Sequence, residues 1–175
     1  MNQSRQSVPE RFQWALEILA ISPTDHLLEI GCGTGILAGQ VAHQLTTGTL
    51  TAVDQSNAMI AKARKQNQPF VKSEKIRFWA EHFAEVQFDG FSYDKIFAFN
   101  VSLFWGKQAQ ELQLIKNYLK PDGKLYVFHQ PPHEITRSVA KRTVEKLEEN
   151  GFVIEQVLFK ELPVASASCI ISRPS

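Results

Sequence analysis

Three glycines stand at alternate positions in "LLEIGCGTG", residues 27–35, directly after an apolar run. Without Cβ atoms, Gly31, Gly33 and Gly35 allow a tight turn and let a ligand press against main-chain amides at the start of the next helix. Asp54 closes the following apolar run, "TLTAV". Its carboxylate can accept hydrogen bonds from both hydroxyls of a ribose. Together the loop and the acid predict a nucleoside-containing ligand, whereas each alone has a plainer explanation: a tight strand-to-helix turn, and an acid that caps a helix. Proton chemistry has two candidates, His129 and Glu10, as general bases at the mouth of such a site. A satisfied histidine at a strand end is the alternative for His129. His129 and His133 lie four apart, but Pro131 and Pro132 between them exclude the helical geometry that makes this spacing useful for zinc, so no metal is expected. Cys32 and Cys169 are far apart and also lack zinc spacing.

These residues need a scaffold, and the apolar pattern switches between helical periodicity and short continuous runs. Pro9 opens a helix with Phe12, Leu16 and Leu19 on one face, making residues 1–22 an N-terminal helical segment. "HLLEI" is a strand running into the glycines, residues 34–45 a helix, and "TLTAV" a second strand. Ser56 or Asn57 caps a helix to about Gln66, and "KIRFWA" is a third strand. "YDKIFAF" is a fourth, "QAQELQLIKNYL" a helix stopped by "KPDG", and "KLYVFH" a fifth. A helix from Thr136 to Glu149 ends at Asn150 and Gly151, and "FVIEQVLF" and "ASASCIIS" form a closing antiparallel pair about Pro163. Right-handed crossovers then give a doubly wound α/β three-layer sandwich on a mainly parallel, seven-stranded sheet. At 175 residues the chain is expected to be one domain over 1–175.

The dinucleotide fingerprint G-x-G-x-x-G would put glycine or alanine where this chain has Ile36, and a P-loop is absent. "LLEIGCGTG" instead resembles the E/D-x-G-x-G-x-G motif of class I S-adenosylmethionine-dependent methyltransferases, a family with a Rossmann-like fold. The resemblance extends over residues 12–172. It implies that Glu29, Gly31, Cys32, Gly33 and Gly35 surround the cofactor, Cys32 through main chain alone and Glu29 through water to the amino group. A local hydrogen-bonding role is the alternative for Glu29. In "AVDQSNAMIAKAR", similarity to the second segment of the family implies that Asp54 holds the ribose while Gln55 and Met59 border the adenine. "FWAEHFAEV" stands at the adenine-edge segment, with His82 where the family has aspartate, Glu81 before it and Phe83 as amide donor; an exposed loop histidine is the alternative for His82. "FNVSLFW" resembles the stretch beside the sulfonium, with Asn100 as the cofactor contact and Phe104 and Trp105 nearby. "LKPDGKLYVF" resembles L-K-P-G-G-x-L, Asp122 replacing one glycine.

The implied activity is methyl transfer from S-adenosylmethionine, with S-adenosylhomocysteine as product, to a small-molecule acceptor. The acceptor pocket would be built from the N-terminal helix, the loop after the fourth strand and "HQPPHEI". A non-catalytic module that binds the same cofactor, and a nicotinamide-dependent oxidoreductase against which Ile36 argues, are the alternatives. Lysine plus arginine number 19 and aspartate plus glutamate 18, a net charge of +1 without a basic stripe, so no nucleic-acid partner is expected. No apolar stretch approaches the ~18 residues of a membrane span. The first residues lack the apolar core of a signal peptide, and a cytoplasmic monomer or homodimer is expected.

Overall fold

The structure is a computed structural model and describes residues 8–88, 90–104, 110–130 and 136–175. Helix α1 (Glu10–Leu19) begins after Pro9 and stops where Ala20 turns left-handed at φ 42°. Strand β1 (His26–Ile30) feeds the glycine loop, then α2 (Ile36–Gln44), β2 (Thr49–Val53) and α3 (Asn57–Gln66) follow. Ser56 caps α3 by accepting from the Met59 amide. A five-residue helix, α4 (Gln68–Lys72), with a proline in its first turn, precedes β3 (Ile76–Trp79). A 3-10 turn (Phe83–Glu85), β4 (Tyr93–Phe99), a second 3-10 turn (Ser102–Phe104), α5 (Gln110–Tyr118), β5 (Leu119–His129), α6 (Thr136–Glu149), β6 (Phe152–Lys160) and β7 (Ala167–Pro174) complete the order.

The seven strands lie in the order β3-β2-β1-β4-β5-β7-β6. All neighbours up to β5 are parallel, whereas β7 runs antiparallel to both β5 and β6. The doubly wound sandwich and its antiparallel closing pair are therefore as expected. Chain order reverses between β1 and β4, which puts the switch point, where open α/β sheets bind ligands, beside the glycine loop. Four of five residues are buried in both β1 and β2, which explains their continuous apolar runs. On one face Trp14, Leu19, Leu37, Val41 and Ile60 carry α1, α2 and α3; on the other Leu112, Ile115 and Leu147 carry α5 and α6, with Phe83 of the first 3-10 turn in the same cluster.

Two local expectations are corrected. The "KPDG" stretch does not end a helix as a simple turn but lies within β5. Leu119 pairs with Tyr93 and the next pair is Lys124 with Lys95, so the intervening residues bulge outward. Gly123 is required there, because a Cβ would stand 2.8 Å from the Tyr93 carbonyl. Helix α4 has no counterpart in the expected order. Trp105, and Pro131, Pro132 and His133 of "HQPPHEI", lie outside the described residues, and with them much of the expected acceptor wall.

Candidate functional site

At the end of β1 the amides of Gly31 and Cys32 both donate to the Val53 carbonyl, at 2.8 and 3.0 Å, tying the glycine loop to the end of β2. Gly31, Gly33 and Gly35 all have left-handed φ, at 74°, 53° and 74°. Their missing side chains do different work. A Cβ on Gly31 would lie 2.5 Å from Val101 Cγ2, and one on Gly35 2.8 Å from Asn67 Nδ2 and 2.9 Å from Ala63 Cβ. Those two glycines admit other parts of the chain. Gly33 alone of the three faces open space, with no heavy atom within 4 Å of the added Cβ. Asn67, which sequence reasoning passed over, is buried and donates Nδ2 to the carbonyls of Gly35 and Ala63, at 3.0 Å each.

The Asp54 carboxylate bridges two loops. One oxygen accepts from the Gly33 amide at 2.9 Å and the other from the Ser56 amide at 2.9 Å. Each oxygen keeps a further acceptor position, so the carboxylate can hold the two loops and still accept from two hydroxyls. Ser56, not Asp54, caps α3.

Glu29 alternates with Leu28 and Ile30 along β1 and so faces the α1–α2 side, under the glycine loop. It is 3% exposed, and its Oε2 has no hydrogen-bond partner among the described residues. Burial, and then the charge of Asp54, push its carboxyl up to about 8. The Cys32 thiol is raised well above its ordinary range by burial and by the same two acids, which leaves it unsuited to nucleophilic chemistry.

A cleft of about 270 Å³ opens beside this loop. Of the expected residues it is lined by Gly31, Asp54, Gln55, His82 and Phe83; Glu81, Val101–Leu103 and Glu111 line it as well. Glu29, Cys32, Gly33, Gly35, Met59 and Asn100 are not among its walls. Met59 sits 37% exposed in the first turn of α3. Asn100 corrects an expectation. It is left-handed at φ 56°, its Oδ1 accepts from the Gln130 amide at 2.7 Å, and its Nδ2 donates to the Gln130 carbonyl at 3.2 Å. The side chain thus clasps the ends of β4 and β5 instead of reaching into the cleft. Glu111, from the first turn of α5, has no motif to announce it.

The expected bases part company. His129 is 1% exposed, with Nε2 3.0 Å from Thr143 Oγ1 of α6, and burial pushes it down to about 4. It is a neutral histidine packed between β5 and α6, and its expected place at the mouth of the site is corrected. Glu10 is exposed in the first turn of α1. Two residues on, the Phe12 ring meets Phe99 edge-to-face at 5.4 Å, which brings this end of α1 to the carboxyl edge of the sheet. Asp54, Glu81 and Glu111 make the cleft acidic, and the unpartnered Glu29 oxygen lies beside it; the arrangement suits a ligand rich in hydrogen-bond donors.

Comparison with known proteins agrees with that chemistry. A family model described as a methyltransferase domain matches residues 27–123. The chain is 25% identical to the uncharacterized methyltransferase YdaC of Bacillus subtilis, over 92% of this chain and 90% of that protein. It is 32% identical to the trans-aconitate 2-methyltransferase of Acidovorax ebreus over 77% of this chain, and spans only 52% of that relative. Among solved structures, a SAM-dependent methyltransferase from Aquifex aeolicus superposes with a TM-score of 0.76 at 14% identity, covering 98% of this chain and 93% of the other.

Proposed function

The chain belongs to the methyltransferase-domain family, whose methyl donor is S-adenosylmethionine, and on that premise we propose that its acceptor is a small molecule methylated on a carboxylate oxygen. In this reading Asp54 holds the ribose hydroxyls, Gln55, His82 and Phe83 border the adenine, and Glu29 meets the ammonium. The observation that supports it most is the buried, unpartnered Glu29 oxygen beneath a loop in which Gly33 opens on space.

When bound, S-adenosylmethionine supplies a methyl group already activated on a sulfonium. The chain then has to bind, orient and exclude water. Burial and Asp54 push the Glu29 carboxyl up to about 8, and a cation in reach of it would favour the ionised form and bring it down again. Asp54 offers its remaining acceptor positions while keeping Gly33 and Ser56 in place. Ile30 and Val53, both buried, form an apolar floor that keeps water out.

Among the described residues, neither of the two expected bases lines the cleft. His129 is buried and neutral, and of the expected pair only Glu10 meets solvent. An acceptor that arrives as an anion needs no base, and a carboxylate oxygen meets that condition. The trans-aconitate 2-methyltransferases, which this chain resembles over about half of their length, are named for such a polycarboxylate. The test is a screen for S-adenosylhomocysteine release with small carboxylic acids, trans-aconitate included, against phenols and amines. Turnover is expected with the acids. Release only with phenols or amines, or with none of the three classes, overturns the proposal.

A further inference from the structure

We propose that Glu111 selects the purine of the cofactor, its carboxylate accepting a hydrogen bond from the exocyclic amine of adenine. The inference rests on the cofactor reading above. S-adenosylmethionine carries three groups of hydrogen-bond donors: the ammonium, the ribose hydroxyls and the exocyclic amine. The cleft and its margin offer three carboxylates with unused acceptor capacity and restricted access to water. Glu29 lies on the α2 side under the glycine loop, and Asp54 leads out of β2. Glu111 stands on the opposite helical layer, in the first turn of α5, which packs against the 3-10 turn at Phe83–Glu85. With the first two assigned to the ammonium and the ribose, the remaining donor group falls to the third.

Glu111 is fitted to that task by what surrounds it. It lines the cleft with Phe83 and Leu103, and its Oε2, although shielded from solvent, has no hydrogen-bond partner among the described residues. A shielded acceptor left unmet gains more from an arriving donor than one that water already serves. Glu81, the other acid on this wall, is exposed. Lys146 of α6 lies close enough for charge interaction with Glu111, and its ammonium donates to the Leu103 carbonyl at 2.7 Å, holding the 3-10 turn at Ser102–Phe104 beside the carboxylate. The unmet Oε2 is an acceptor, so it favours an amine over a carbonyl at that edge of the base.

The test compares calorimetric binding of S-adenosylhomocysteine with that of S-inosylhomocysteine, in which the exocyclic amine is replaced by a carbonyl oxygen. The unmodified protein should bind the adenosyl compound at least about tenfold more tightly. Glu111→Ala should weaken adenosyl binding by about tenfold and leave inosyl binding nearly unchanged. Glu111→Gln, which keeps the shape and so guards against a folding defect in the alanine variant, can donate to the carbonyl and should bring the ratio close to one. A ratio that survives in Glu111→Gln overturns the inference alone, as does a ratio lost in Glu81→Gln but kept in Glu111→Gln. Failure of the unmodified protein to bind either compound overturns the cofactor reading as well.

Discussion

The two ends of the sheet each carry a hollow bordered by carboxylates. At the amino end it measures about 350 Å³ and is lined by Asp94, Lys95, Lys120 and Lys124. There the acids are matched: Lys120 reaches both Asp94 oxygens at 2.8 Å, the His26 amide donates to Asp94 at 2.8 Å, Lys95 pairs with Asp25, and Lys124 with Glu155. Burial works to raise the Asp94 carboxyl, but Lys120 and the His26 amide outweigh it and hold the group below its ordinary value. At the carboxyl end Glu29 and Glu111 each keep a shielded oxygen without a partner among the described residues. The state of the carboxylates separates a surface settled by its own ion pairs from one arranged for a ligand.

Substitutions can break that contrast. The largest effect is expected from Asp54→Ala, which removes the acceptor for the Gly33 and Ser56 amides together with the proposed ribose contact; S-adenosylhomocysteine affinity should drop at least ~100-fold, by calorimetry. Next comes Glu29→Gln. Folding raises this carboxyl from 4.5 to about 8, so the folded chain holds the proton more tightly, and its contribution to stability is full below pH 4.5 and lost as pH rises toward 8. Denaturant unfolding at pH 5 and pH 8 should show that loss in the parent, and the variant should be less sensitive by on the order of 2 kcal/mol. Asn67→Ala should lower stability by about 1–2 kcal/mol, because the side chain that ties the Gly35 carbonyl to that of Ala63 is lost from a buried position, leaving Gly35 only the Gly39 amide. The smallest effect is expected at the paired end. Asp94→Asn, partly exposed, should cost less than about 1 kcal/mol and leave cofactor affinity unchanged. A large loss of affinity there would erase the distinction between the two ends.

What could be read in the sequence follows the range of the forces involved. Strands β1 and β2 coincide with their apolar runs, because burial on both faces leaves a continuous local signal. Ser56 was visible as a cap for the same reason, its partner lying three residues away. The start of β5 at Leu119 was hidden, since it depends on pairing with Tyr93 across a bulge. Gly31 and Asp54, marked by their positions at strand ends, and Gln55, His82 and Phe83, marked by the family resemblance, all line the cleft. Glu111 arrives on a helix whose face toward the cleft is set by packing on the 3-10 turn, and Asn67 acts on Gly35 from the far end of α3. His129 ends an apolar run, but only the arrival of Thr143 from α6 decides that it is enclosed. The resemblance of "FNVSLFW" implies a ligand contact at Asn100, whose left-handed backbone and clasp on Gln130 have no local sign.

The Asn67 side chain occupies the space that a Cβ on Gly35 or on Gly39 would claim. Positions 35, 39 and 67 are therefore tied into one epistatic set. Alanine at 39 is tolerable only with a smaller residue at 67, and that residue abandons the Gly35 carbonyl. Drift at these three sites should occur jointly, and chimeras that import α2 from one homologue and α3 from another should fail more often than the conservation of their cofactor motif would suggest.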